Sequence, residues 1–89
     1  MEIKLEIASV LLKEEENIKN RLGEKEEISY RTDKKGVSVL SVIEELGISP
    51  EKISFVKIND RRSYFNKELQ NVMLNDGDKV KVYPFLVGG

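Results

Sequence analysis

The sequence predicts an α+β fold, a mixed sheet of four to five strands packed on one main helix. Residues 37–47, VSVLSVIEELG, carry an apolar stripe at helical spacing, whereas several other short segments alternate or are β-branched. Their order is strand, strand, helix, strand, short strand, strand. A single helix in that order must bury its stripe on one face of a sheet, which gives an α+β roll.

Residues 2–7, EIKLEI, alternate strictly, with Ile3, Leu5 and Ile7 on one side and Glu2, Lys4 and Glu6 on the other. That is the period of a half-buried strand. In the charged segment 13–27, KEEENIKNRLGEKEE, Ile18 and Leu22 stand four apart. It reads either as an amphipathic turn or two stopped by Gly23, or as a mobile charged connection. ISYRT at 28–32 reads as the second strand and DKKG as the break after it.

In the helix, Val39, Val42, Ile43 and Leu46 share one face. Ser38 or Ser41 supplies the N-cap, and Ser41 with Glu44 matches a capping box. Gly47 provides a left-handed stop and Pro50 bars continuation. ISFVKI at 53–58 is β-branched and aromatic, hence a strand. Asn59 and Asp60 tolerate positive φ and form a tight turn into a short returning strand, residues 63–65. NKELQNVML then bridges to a turn at Asn75, Asp76 and Gly77. In the last strand, 79–83, Val80 and Val82 face one way and Lys79 and Lys81 the other.

The remaining side chains have plain assignments. Tyr30, Phe55, Tyr64 and Phe65 read either as an exposed aromatic patch suited to a partner interface or as core, and the core is the usual place for aromatics in a domain this small. Arg61 and Arg62 belong to a solvated turn. Asp76 and Asp78 serve turn chemistry, since the other ligands of a calcium loop are missing.

Composition narrows the function. At 89 residues and 39% hydrophobic content, the chain makes one domain with a modest core. It has no run long enough to span a bilayer and no signal-peptide arrangement, so a cytoplasmic protein without a membrane partner is expected. Fifteen basic and 16 acidic side chains give a net charge of −1, without the basic excess of a nucleic-acid binder. The absence of Cys removes thiol nucleophiles, disulfides and zinc-thiolate sites, and the absence of His removes the commonest general base. The inner glycines are isolated, as turn glycines are, and form no phosphate loop. The expectation is a protein that is not an enzyme by itself and holds no metal or cofactor.

The strand-strand-helix-strand-strand order resembles the ubiquitin-like β-grasp, best over residues 37–89. VSVLSVIEELGIS, FVKINDRR and LNDGDKVKVYPFLVGG carry the likeness. The last block is similar to the ending of the MoaD/ThiS sulfur-carrier family, where a leucine and an acidic-Gly-Asp turn precede the final strand and an apolar tail closing in Gly-Gly. Leu74, Asp76, Gly77, Asp78, Val80, Pro84, Gly88 and Gly89 fall on that pattern. Phe85 and Val87 depart from the prolines and small residue of the molybdopterin branch, Asp60 stands where the family favours glycine, and segment 9–27 exceeds the family pattern. The resemblance implies a single β-grasp domain over 1–83 and a flexible tail over 84–89.

It also implies a chemistry. A carboxylate is a poor electrophile, so a partner adenylyltransferase of the ubiquitin-activating type activates the Gly89 carboxyl with ATP. A sulfur donor protein then supplies sulfur, and the Gly89 thiocarboxylate passes it to the large subunit of a biosynthetic synthase, foremost that of molybdopterin. Lacking Cβ atoms, Gly88 and Gly89 suit a narrow channel in the partner, and Pro84 stiffens the exit from the strand. Phe85, Leu86 and Val87 become anchors in a partner groove; the other reading of PFLV is a strand continuing into the core, with Phe85 covering the sheet edge. Three further functions fit the same ending: sulfur carriage for the thiamin thiazole, protein modification through Gly89, and a β-grasp interaction domain whose Gly-Gly is incidental.

Overall fold

The computed structural model describes residues 1–8, 11 and 25–85. The expected turn around Ile18 and Leu22 lies outside these, as do Leu86, Val87, Gly88 and Gly89. The first strand, β1 (Glu2–Ala8), follows its alternation: Ile3, Leu5 and Ile7 are at most 2% exposed. It sits inside a mixed five-stranded sheet of order β2-β1-β7-β4-β5, made with β2 (Lys25–Arg31), β4 (Ile53–Ile58), β5 (Arg62–Phe65) and β7 (Lys79–Pro84). β1 and β7 run parallel at its centre, and the other pairings are antiparallel.

β2 begins at Lys25 rather than at the expected Ile28. Pairing decides this, because Ala8, Ile7 and Glu6 continue β1 opposite Lys25, Glu26 and Glu27. A strand built on its neighbour's backbone needs no apolar pattern of its own. Thr32, placed in the strand by sequence, lies just beyond it yet still donates to the Met1 carbonyl at 3.0 Å.

The main helix, α1 (Val39–Glu45), buries Val39, Val42 and Ile43 in the cluster that holds Ile3, Leu5, Ile7, Ile53, Val56, Val80 and Val82. Ser38 is its N-cap, with Oγ accepting from the Ser41 amide at 3.1 Å, so the Ser41–Glu44 capping box does not form. Val37 and Ser38 are spent on a short strand, β3 (Val37–Ser38), paired with β6 (Met73–Leu74), and this moves the helix start to Val39. At the other end the Gly47 amide donates to Glu44 and the Ile48 amide to Ile43, at 3.0 and 3.1 Å. This is a Schellman ending, with Gly47 at φ +78° in the left-handed region and Ile48 and Ile43 both buried. The Tyr30 hydroxyl donates to the Glu45 carboxylate, which ties β2 to the end of α1 and raises the phenol above its usual pKa.

A 3-10 helix, Asn66–Asn71, replaces the plain bridge after β5 and seats Leu69 in the core at 1% exposure. The turn at Asn75–Asp78 is held on both flanks. Gly77 donates to Glu2 at 2.8 Å, Asp76 accepts from the Glu2 amide at 2.7 Å, and Asn59 bonds both the Asp78 carboxylate and the Lys79 amide at 2.9 Å. These bonds seat the start of β7 between β1 and β4, and they are the turn chemistry expected of Asp76 and Asp78.

Candidate functional site

Strand alternation divides the sheet into two faces. Val80, Val82 and Val56 point to the core, so Lys79, Lys81, Tyr83, Phe55 and Lys57 stand on the other side. Register sets Phe55 opposite Tyr83 on one neighbour and opposite Phe65 on the other, giving an aromatic row across β7, β4 and β5. The Phe55 and Tyr83 rings stack at 4.5 Å with planes 13° apart, and the Lys25 ammonium lies 5.8 Å from the Tyr83 centroid. Phe65 is 62% exposed and Phe85 54%. Together with Glu51, Ser54, Asn66 and Lys67 they line one open cleft at the end of the sheet where β7 finishes.

One row along, the outer face is ionic. The Lys81 ammonium lies 2.6 Å from Asp60 and 3.9 Å from Glu6. The bond to Lys81 holds the Asp60 carboxyl below its usual pKa, and Asp60 raises Lys81 in return. These charges satisfy one another. Among the described residues Phe65 and Phe85 are the exposed rings of this end of the sheet, and they give it an apolar surface beside the ionic row.

The residues singled out in the ending fall on both sides of the described boundary. Pro84 belongs to β7, paired with Ile53, so the ladder extends one residue past the expected 79–83. Phe85 then donates its amide to the Lys52 carbonyl at 3.2 Å. Phe85 itself lies just past the end of β7, its amide held by the Pro50–Lys52 turn and its side chain exposed. Leu86, Val87, Gly88 and Gly89 lie outside the described residues.

The core assignment of Phe65 is overturned by its exposure, and Phe55 lies on the outer face beside it. Tyr30 and Tyr64 do pack against the core, partly buried. The corrective signal was present in the sequence: neighbours in a strand point opposite ways, so Tyr64 and Phe65 cannot both be inside. Placing Val80 and Val82 inward likewise sends Tyr83 outward. Arg62, assigned to a solvated turn, opens β5 and lies 5.5 Å from the Tyr64 ring centroid.

Among the described residues no cluster of His, Cys, Asp or Glu has the makings of a metal site, and no helix is long and apolar enough to cross a membrane. What the face offers chemically is apolar contact beside the point where the chain leaves the sheet. No family model, no curated protein and no solved structure matches this chain.

Proposed function

We propose that this chain is a ubiquitin-like sulfur carrier with a β-grasp domain, docked through its outer sheet face and working through the Gly89 carboxyl. The observation that carries the reading is the open Phe65–Phe85 cleft at the end of β7, the last strand before the Gly-Gly ending in sequence. A protein that is a substrate of other enzymes needs a recognition surface near its reacting end in the chain, and the cleft includes Phe85, four residues before Gly89. The mixed sheet on one main helix and the doubly fastened Asn75–Asp78 turn support the same reading.

In this mechanism a Gly89 carboxylate oxygen attacks the α-phosphorus of ATP within the partner adenylyltransferase, and pyrophosphate leaves. Sulfur at the hydrosulfide level then attacks the acyl carbon, AMP leaves, and a thiocarboxylate with one released proton remains. In the synthase large subunit the acyl C–S bond breaks as the sulfur passes to the acceptor, and water supplies the oxygen that restores the carboxylate and releases a proton. Molybdopterin is the proposed product of the pathway, on the position of Pro84, and the cytoplasm the proposed place.

The test incubates the full chain, ending at Gly89, with ATP, sodium sulfide and the adenylating enzyme of its source, followed by intact-mass measurement. Sulfur replacing one oxygen on the C-terminal fragment is the expected result. Covalent adducts on target lysines would instead make the chain a protein modifier. An unmodified protein beside an enzyme that activates its own control substrate rules out both. A chain with one residue added after Gly89 should keep its stability and lose activation altogether, because only a free terminal carboxyl reacts.

A further inference from the structure

The end of β7 is more elaborately held than a strand end requires. Asn66, half-buried at the start of its 3-10 helix, donates its side-chain amide to the carbonyls of Pro50 at 2.5 Å and Ile53 at 2.9 Å. Those two residues bracket the 3-10 turn Pro50–Lys52, and the Lys52 carbonyl between them accepts the Phe85 amide. The turn closes without Asn66: the Lys52 amide already reaches Ser49 at 3.1 Å, and the Ile53 amide reaches Pro50. What Asn66 adds is the position of the turn relative to β5 and Phe65. Next to it β4 carries a bulge at Ser54, since Ile53 pairs with Pro84 but Phe55 with Tyr83. Bulges re-aim chains beside functional sites.

We infer that Asn66 is the positioning residue of the chain exit. Its amide fixes the turn that holds Phe85, and so sets the direction in which the chain leaves the sheet at Phe85 toward an activating enzyme. A neutral fork with two N–H donors is required, since a carboxylate of the same shape donates nothing and a hydroxyl donates once. This inference rests on the carrier reading, and its test separates the two.

Asn66→Asp and Asn66→Ser are compared with the full wild-type chain. By amide hydrogen exchange on the free protein, Phe85 should exchange about tenfold faster in both variants, the scale of one lost hydrogen bond, while the interior amides of β7 keep their protection. In the ATP and sulfide assay, Asn66→Ser should lower kcat about tenfold with a much smaller rise in KM for the carrier, since Asn66 also lines the docking cleft but both rings remain. Phe65→Ser should do the reverse. Unaltered Phe85 exchange, or a uniform loss of protection across β7, overturns the positioning role. A wild-type chain that is never activated overturns the carrier reading and the functional half of the inference, while the exchange data still decide whether Asn66 sets the exit.

Discussion

Asp60 occupies the left-handed region at φ +57°, next to Asn59 at +52°. Few residue types accept that backbone, and Asn and Asp are among them, so the turn was legible from residue identity alone. Its electrostatic role was not, because Lys81 lies 21 positions away in sequence. The folded pKa of Asp60 is lowered, so its contribution to stability is present above the ordinary carboxylate range and is lost as pH falls through the folded value. Lys81 is raised, so its contribution holds below the ordinary lysine range and is lost as pH rises through its own folded value. The pair is therefore constant across neutral pH. Asp60→Asn keeps the turn and removes the charge. Urea unfolding should find it slightly less stable than wild type at neutral pH, with the difference closing in acid as pH falls through the lowered Asp60 value. A difference that persists in acid would assign the effect to the backbone instead.

At the scale of elements, the helix was the most readable part of the chain. Its stripe, its Ser38 cap and its Gly47 stop are local, and locality is what sequence patterns report. The space around Gly47 is open, with no atom within 4 Å of where a Cβ would stand, so Gly47→Ala meets only the backbone cost of positive φ. That cost is about 1 kcal/mol, measurable by denaturant titration, and Gly47→Asn should recover part of it. The β3–β6 ribbon was not readable: VS and ML are too short to carry a period, and each becomes a strand only because the other is beside it. The same holds for the first residues of β2, whose charged side chains pair by register with β1.

For the whole molecule, the decisive feature is that the sheet has one face committed to the core and another that ends in exposed aromatic rings. Rings that open to water contribute little to folding. Phe65→Ser combined with Phe85→Ser should change unfolding free energy by no more than about 0.5 kcal/mol. On the proposed carrier reading, the same pair of changes should raise KM for activation by the adenylating enzyme at least about tenfold, the effect of losing apolar anchors at an interface centre. A large stability loss with unchanged activation would place these rings in the fold and remove the cleft from the function.

The sequence by itself determined the α+β class, the helix stripe and its Gly47 stop, β4 to the residue, the turns at Asn59–Asp60 and Asn75–Asp78, and the inward set Ile3, Leu5, Ile7, Val80 and Val82. Each follows from a period or a backbone preference acting over a few neighbouring residues. Only the tertiary structure decided the central parallel pairing of β1 with β7, the joining of Phe55, Phe65, Tyr83 and Phe85 on one face, and the hold of Asn66 on the exit of the chain. Those depend on register between strands distant in sequence. Register is set by the summed burial of the core and not by any one segment.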